Sequence, residues 1–250
     1  MLRTGHEAYN SISRGNRAWV LDSGIDLQHE DLNVSGKDSK SFVSWGSGRN
    51  SANDDNGHGT HVAGTIGAIK GNGKGVVGVA AGAELVAVKV FGPNGSARLS
   101  DILSGIDYIA QKAKTGDVTN MSFGGGVSLS LDQATINLAN KGVLISIAAG
   151  NSSDDASKYS PARTGDKHAN IFAIAAMRQG DSWASFSNFG QPPVQFIAPG
   201  VDVLSTWPGN SYHSLNGTSM SAPHVAGILL VKGNVLSDGN VLGPNGKNYP

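Results

Sequence analysis

The sequence contains no cysteine. This absence excludes disulfide frameworks, thiolate zinc sites and cysteine nucleophiles, and it leaves the redox compartment undetermined. Charge of one sign is not in excess either, because 19 Lys and Arg residues balance 19 Asp and Glu residues and no acidic or basic run stands out. We therefore expect neither nucleic acid nor a membrane surface to be a partner.

Long apolar runs are also absent. The longest, residues 142–149 and 225–231, are far shorter than the roughly 20 residues that span a bilayer, and no charged-then-apolar signal pattern opens the sequence. The chain of 250 residues has no repeat and no low-complexity linker that would mark a domain boundary. We therefore expect residues 1–250 to form one soluble domain.

Glycine, in contrast, is abundant, with 35 residues, which indicates many tight turns. Strand-like apolar runs alternate with helical periodicity. Strands are predicted at 18–21, 84–90, 117–123, 143–149, 171–176 and 194–198, and helices at 58–68, 100–113 and 130–141. Ser130 and Gln133 resemble a capping box at the start of the last helix. This alternation predicts an α/β fold with a mainly parallel sheet covered by helices on both faces.

Polar residues follow several of the predicted strands. Asp22 follows the first strand, Ser122 lies near the end of a middle one, and Asn151 follows the next. Ligands of open parallel sheets bind beyond the carboxyl ends of the strands, so we expect these groups to converge. Ser219, in "NGTSMSAPHVAG", is predicted in the first turn of a helix, where unpaired N–H groups and the helix dipole stabilise a developing negative charge.

A serine hydroxyl becomes a nucleophile only when an adjacent base accepts its proton. His58, between two glycines in "DDNGHGTHVAGT", is the candidate base, and Asp22 is the candidate carboxylate that orients the imidazole. Each segment alone has a plainer interpretation. Asp22 fits an Asx-turn, Ser219 fits a helix cap, and His58 with His61 fits a metal pair, although HExxH is absent. The three segments taken together favour the catalytic interpretation.

The segments "VLDSGID", "NGHGTHVAG" and "GTSMSAPHVAG", in this order, resemble the catalytic segments of the subtilases, the subtilisin and proteinase K family of serine proteases. The resemblance covers most of the chain. It implies a subtilisin-like three-layer α/β/α fold and the activity of a serine endopeptidase. In this reaction Asp22 would orient the imidazole of His58, His58 would act as base and then acid, and Ser219 would attack the acyl carbon. Asn151, in "AAGN", would donate its side-chain amide to the oxyanion, together with the Ser219 N–H.

The resemblance also implies a groove that holds an extended polypeptide by main-chain hydrogen bonds between two edge segments. The residues that it assigns to substrate binding are Gly95, Ser96, Ala97, Ser122, Phe123, Gly124, Gly125, Ala149 and Gly150. The glycines at 124–126 leave room for a bulky side chain before the scissile bond. We therefore expect broad specificity, with cleavage after large apolar or aromatic residues.

The resemblance implies no cofactor for catalysis but a structural calcium ion bound by oxygen ligands. The residues that match its ligands are Asp31, Ile69, Asn72 and Val76. Gln195 stands where many subtilases have an aspartate for a second ion, which argues against a second site. The resemblance further implies a secreted monomer, with an inhibitory pro-segment as a partner, and both ends of the sequence are short for the family.

Two other functions remain open from the sequence. One is hydrolysis of small esters or amides, because acyl chemistry does not require a peptide. The other is a non-catalytic binding or scaffold protein on the same fold, which the short ends would permit. A preference for long peptides would argue against the first alternative, and covalent labelling of Ser219 would argue against the second.

Overall fold

The fold is built on a mainly parallel β-sheet, seen in a computed structural model that describes residues 15–45 and 47–250. Its strands are β1 (Ala18–Asp22), β2 (Lys40–Ser41), β3 (Leu85–Lys89), β4 (Val118–Met121), β5 (Leu144–Ala148), β6 (Ile171–Arg178), β7 (Ser182–Trp183) and β8 (Val194–Pro199). The order is β2-β3-β1-β4-β5-β6, and β6 also pairs in parallel with β8 and antiparallel with β7. The predicted parallel sheet is confirmed.

Helices lie on both faces of this sheet. The α-helices of the described residues are α1 (His58–Gly67), α2 (Leu99–Lys112), α3 (Leu129–Asn140) and α4 (Thr218–Lys232). Short 3-10 helices occupy Ser47–Asn50, Ala156–Lys158 and Ala162–Thr164, and two antiparallel ribbons pair β9 (Val203–Trp207) with β10 (Ser211–Leu215) and β11 (Val241–Leu242) with β12 (Asn248–Tyr249). Across residues 15–45 and 47–250, no helix is long and apolar enough to cross a bilayer.

Alternate residues of β1 face two different helical layers. Ala18 and Val20 pack in a core with α1 and α4, whereas Trp19 and Leu21 pack in a core with α2 and α3. All four are fully buried, because side chains alternate across a strand and helices cover both faces of this sheet. The three-layer α/β/α architecture predicted from the sequence is confirmed.

The start of α3 differs from the prediction. The helix begins at Leu129, and the hydroxyl of Ser128 caps it by accepting a hydrogen bond from the Leu131 N–H at 3.4 Å. The capping box proposed for Ser130 and Gln133 is therefore wrong. The cap lies two residues earlier, where position N3 is Leu131 and cannot return the second hydrogen bond of a capping box.

The carboxyl ends of β1, β4 and β5 lie side by side, because these strands are parallel neighbours in the sheet. Asp22 ends β1, Ser122 follows β4 directly, and Asn151 lies shortly after β5. The predicted convergence of polar residues at one edge of the sheet is therefore observed. The expectation of a short amino-terminal end concerns residues 1–14, which lie outside the described residues.

We expect the core between the sheet and the α2/α3 layer to contribute strongly to stability. Ile106 of α2 is 1% exposed there, and Ile106→Ala should lower the free energy of unfolding by about 2–5 kcal/mol, because it loses apolar contacts and leaves a cavity. Urea denaturation would measure this loss. In the control Leu129→Ala, whose side chain is 75% exposed, the change should be within about 0.5 kcal/mol. Equal effects of the two substitutions would contradict the layer assignment.

Candidate active site

Asp22 and His58 are hydrogen-bonded at the carboxyl end of β1. His58 Nδ1 lies 2.8 Å from Asp22 Oδ1, although 36 positions separate the two residues in the sequence. Asp22 is 2% exposed, and the same oxygen accepts the Ser23 N–H at 2.7 Å. The contact occupies Nδ1 of the half-buried imidazole and leaves Nε2 for a reacting group.

Glycine permits the close approach of α1 to β1. A Cβ added to Gly59 would lie 2.1 Å from the carbonyl oxygen of Gly24 and 3.2 Å from Cβ of Asp22. A side chain at this position would therefore push the first turn of α1 away from the strand. The glycine that follows His58 thus serves the close backbone approach expected from the sequence.

Asp54 holds the segment that carries His58. Its Oδ1 accepts hydrogen bonds from the hydroxyl of Ser23 at 2.9 Å and from the N–H groups of Asn56 and Gly57 at 3.0 and 2.9 Å. Its Oδ2 accepts the N–H and the hydroxyl of Thr60 at 2.9 and 2.6 Å. This role was not predicted from the sequence, because Asp54 lies three residues before the N-cap residue Gly57 and so outside the N-cap pattern.

The electrostatic surroundings of His58 favour its charged form. Burial by itself lowers the pKa of His58, but the negative charge and hydrogen bond of Asp22, together with the charge of Asp54, outweigh burial and raise the pKa above the ordinary 6.5. A neighbouring carboxylate stabilises the imidazolium in this way. Asp22 therefore favours proton uptake by the ring as well as orienting it.

Two further histidines are buried and structural. The ring of His61 lies with Nε2 at 2.9 and 3.0 Å from the carbonyl oxygens of Val203 and His213, and burial lowers its pKa to about 4. Burial likewise lowers the pKa of His224 to about 4, and its Nδ1 lies 2.8 Å from the Met220 carbonyl oxygen. No group of three His, Asp or Glu side chains suited to a metal ion occurs among the described residues, so the metal-pair interpretation gains no support.

Ser219 lies in the first turn of α4, as predicted. Its hydroxyl donates to the carbonyl oxygen of Ser122 at 3.0 Å, and the Ser122 hydroxyl donates to the Ser219 carbonyl oxygen at 2.7 Å. Within the described part of the chain, no hydrogen bond joins Ser219 to His58. Catalytic hydrogen bonds are often long or misaligned without substrate, and here the serine hydroxyl has to rotate to reach the imidazole.

The amide of Asn151 faces the space beside Gly217. Its Oδ1 accepts the N–H and the hydroxyl of Thr218, both at 2.9 Å, which directs Nδ2 the other way. A Cβ added to Gly217 would lie 3.4 Å from this Nδ2, 3.7 Å from the Ser219 backbone N and 3.7 Å from Met220 Sδ. The side-chain amide of Asn151 and the backbone nitrogen of Ser219 therefore border one open position beside Gly217.

Asn188 fixes the loop that carries Asn151. This fully buried side chain donates from Nδ2 to the Ala149 carbonyl oxygen at 3.0 Å and accepts the Ser152 N–H at 2.9 Å, while its backbone N–H donates to the Gly150 carbonyl oxygen at 2.9 Å. The sequence analysis did not predict this residue. A single asparagine in an irregular segment gives no periodic signal.

A cleft of about 200 Å³ lies beside His58. Three of the predicted substrate-binding residues, Gly95, Ser122 and Phe123, line it, whereas Phe91 was not predicted. The rings of Phe91 and Phe123 pack with their centroids 5.2 Å apart and give the cleft an aromatic wall. The residues that line the cleft are Asp22, Ser23, Asn56, His58, Phe91, Gly95, Ser122 and Phe123.

The other predicted binding residues lie outside this cleft lining. Ser96 is exposed and Ala97 is half-buried just before α2. Gly124 and Gly125 are exposed, but the N–H and carbonyl of Gly125 already bond to Ser160 at 2.9 and 3.1 Å. Both backbone groups of Gly125 are thus engaged within the protein.

The four residues matched to a calcium site lie together. Both oxygens of the fully buried Asp31 carboxylate are bonded, Oδ1 to Asn72 Nδ2 at 2.6 Å and Oδ2 to the Val76 N–H and the Tyr212 hydroxyl, each at 3.3 Å. The Ile69 N–H donates to the Asp31 carbonyl oxygen at 2.9 Å. The Asp31 carboxylate is an oxygen ligand of the kind that Ca²⁺ prefers, but the groups that contact it are donors, and Asn72 would have to turn its amide oxygen inward to bind an ion.

Gln195 occupies the position considered for a second ion. Its Nε2 donates to the carbonyl oxygens of Gly165 and Ile171, the latter at 2.9 Å, and its Oε1 accepts the Ala173 N–H at 2.7 Å. A neutral amide thus satisfies the backbone groups at this position. Gln195 contributes no carboxylate to a cation there.

A model of the subtilase family matches residues 19–235. The chain belongs to the subtilase family. M-protease of Shouchella clausii (strain KSM-K16) is 46% identical over 215 residues, which are 86% of this chain and 53% of that protein. Proteinase R of Parengyodontium album is 38% identical over 224 residues, 88% of this chain and 54% of that protein. The chain spans about half the length of these two subtilase relatives.

This chain covers a larger share of two other similar proteins. Subtilisin Savinase of Lederbergia lenta is 46% identical over 214 residues, which are 85% of this chain and 74% of that protein. Among solved structures, a cold-adapted subtilisin-like serine proteinase matches with a TM-score of 0.78 and 39% identity, over 88% of this chain and 76% of that one. The subtilase fold of the chain is therefore supported by both sequence and structure.

We expect the imidazole of His58 in this subtilase to titrate above pH 6.5, because Asp22 and Asp54 raise its pKa. Asp22→Asn removes one negative charge and should move the titration midpoint to lower pH. An NMR titration of the histidine rings would measure both midpoints, with His224 as an internal control whose pKa is about 4. An unchanged midpoint in Asp22→Asn would contradict the coupling.

Proposed function

We propose that the protein is a subtilisin-like serine endopeptidase, which hydrolyses peptide bonds through an acyl-enzyme. The observation that carries this proposal is the 2.8 Å contact of Asp22 with His58, together with the position of Ser219 in the first turn of α4. The names of similar proteins support the reaction class, because several are described as proteases or subtilisins.

The first half of the reaction forms the acyl-enzyme. The hydroxyl of Ser219 turns from Ser122 toward His58 and attacks the peptide carbonyl carbon, while Nε2 of His58 accepts its proton. Asp22 holds the imidazolium by a hydrogen bond to Nδ1, the ring nitrogen away from Ser219. The intermediate then collapses, the C–N bond breaks, and His58 returns the proton to the departing amine.

The second half releases the acid product. Water attacks the acyl-enzyme, His58 accepts a proton from it, and the proton passes to the Ser219 oxygen as the ester bond breaks. In both halves, negative charge develops on the carbonyl oxygen. Asn151 Nδ2 and the Ser219 N–H would stabilise this charge at the open position beside Gly217.

The proposed substrate is an extended polypeptide. Its main chain would lie between residues 95–97 and 122–125, with an apolar side chain against the rings of Phe91 and Phe123 in the cleft. A Cβ added to Gly125 or Gly126 would meet no atom within 4 Å, so the space beside these glycines is open. These features support broad specificity, with cleavage after large apolar or aromatic residues.

The family resemblance supports three further parts of the proposal. The protein would act outside the cell, as a monomer, and an inhibitory pro-segment would be its macromolecular partner besides its substrates. The proposed reaction requires no cofactor. The chemistry assigned to Asp22, His58, Ser219 and Asn151 is complete with protein groups alone.

We expect a fluorophosphonate probe to label Ser219, because the probe reacts only with an activated serine. Ser219→Ala should abolish labelling and lower turnover about a million-fold, and Asn151→Ala should lower it about a hundred- to a thousand-fold, the magnitudes known for subtilisin. Labelling would be located by mass spectrometry, and turnover would be measured on casein.

The same assay separates the alternatives. Unlabelled Ser219 in the folded protein would favour a non-catalytic binding protein. Labelling with rapid hydrolysis of small esters but none of casein would favour an esterase. Hydrolysis by Ser219→Ala at the native rate would overturn the mechanism.

We also propose a structural calcium ion at the residues around Asp31, with Asn72 and the backbone of Ile69 and Val76 as further ligands. Excess chelator should lower the thermal midpoint of the native protein, because it removes an ion that binds only the folded state. In Asp31→Asn, chelator should have no further effect. A native midpoint that does not respond to chelator would show that no such ion contributes.

A further inference from the structure

A lysine is buried beside the candidate active site. Lys89, the last residue of β3, is fully buried, and its Nζ donates at 2.5 Å to the carbonyl oxygen of Ser23 and at 2.5 Å to Oδ1 of Asp55. Removing an ammonium group from water is costly unless close partners compensate it. The reaction outlined above makes no use of this cation, so its burial requires another explanation.

The two hydrogen-bond partners of Lys89 belong to the two segments that carry Asp22 and His58. Ser23 directly follows Asp22, whereas Asp55 lies in the loop just before His58. Lys89 is also the register partner of Asp22 where β1 and β3 pair in parallel. The ammonium group therefore connects the end of the strand that carries the carboxylate to the loop that carries the imidazole.

Ser23 is constrained from several sides. Its N–H donates to Asp22 Oδ1 at 2.7 Å, its hydroxyl donates to Asp54 and accepts the Gly59 N–H, both at 2.9 Å, and its carbonyl accepts from Lys89. Loss of the lysine would leave the Ser23 carbonyl without its donor and remove one of the restraints on this backbone. The loosened strand end would let the adjacent carboxylate of Asp22 shift.

Charge in this region also requires compensation. Asp22 and Asp54 are buried, and Asp55 has a side chain that is 32% exposed. Asp22 Oδ2 is buried and has no hydrogen-bond partner among residues 15–45 and 47–250. The ammonium of Lys89 pairs with the Asp55 carboxylate and is the register partner of Asp22, so it brings a positive charge into this acidic region.

We propose that Lys89 is a positioning residue for the pair formed by Asp22 and His58. Its ammonium group fixes the strand end and the loop relative to each other, and its charge offsets the carboxylates around the imidazole. This inference rests on the proposed hydrolase function for its kinetic consequences, whereas its effect on the titration of His58 does not.

The kinetic test compares Lys89→Met, which keeps a long apolar stem without the charge, with the matched control Arg17→Met. Arg17 immediately precedes β1 at its other end, and its guanidinium pairs with Asp38 at 2.5 Å. With active-site titration to count folded enzyme, Lys89→Met should lower kcat about 10- to 100-fold with little change in KM, the size expected for a misplaced catalytic group. Arg17→Met should keep kcat within about twofold, since exposed or half-buried ion pairs mainly affect stability.

The second readout is the titration of His58, followed by NMR and by the acid limb of kcat/KM. The charged groups that act on this ring are Asp22 and Asp54, with His61 beside them, whereas Lys89 and Asp55 act through Ser23 and the loop before His58. Lys89→Met should lower the midpoint, because displacement of Asp22 weakens the contact that raises the pKa of His58, and Asp55→Asn, which removes the other partner of the ammonium group, should lower it as well. Lys89→Arg should keep the midpoint near that of the native protein, because the charge is retained.

A kcat for Lys89→Met equal to that of Arg17→Met, or a His58 midpoint that does not fall in Lys89→Met, would overturn the proposal and leave Lys89 as a stabilising ion pair only. If Lys89→Met does not fold, Lys89→Arg and Asp55→Asn decide by the same titration. A native protein that hydrolyses no peptide would contradict the proposed function alone. The NMR midpoints would then still test whether Lys89 acts on the pair.

Discussion

The hydrogen bond between Asp22 and His58 is the constraint on which the rest of the site depends. It requires the end of a central strand and the start of a helix to approach closely, although they are distant in the sequence. Gly59 permits the approach, and Asp54 anchors the loop before the helix. The surrounding hydrogen bonds place the loop so that one imidazole nitrogen faces the carboxylate and the other is free.

Ser219 and Asn151, the proposed nucleophile and oxyanion donor, lie at a second junction, between the loop after β5 and the first turn of α4. Thr218 donates two hydrogen bonds to the side-chain oxygen Oδ1 of Asn151. Asn188 holds the backbone on either side of Asn151. Neither contact touches the reacting atoms. Both restrict the amide donor to one orientation, and a fixed donor costs no reorganisation when charge develops.

Sequence reasoning predicted the parts of this protein that have a period or a motif. Apolar runs predicted the six long strands of the main sheet and helices α1 to α3 to within a few residues, but the short strands β2 and β7 and the two ribbons were not predicted. The three motifs predicted that Asp22 and His58 would meet. It could not predict Asn188 or Lys89, because a side chain that bonds irregular backbone leaves no repeating signal. It also misplaced the cap of α3, since Ser128 and Ser130 are chemically equivalent candidates and only the path of the chain selects between them.

The two helical layers differ in the residues that they carry. The helices that begin beside His58 and Ser219 pack against each other on one face of the sheet, whereas α2 and α3 cover the opposite face and carry neither residue. Phe91 and Phe123, which line the cleft beside His58, nevertheless pack against the α2/α3 core. A void opened in that core would therefore loosen the aromatic wall of the cleft without touching His58 or Ser219.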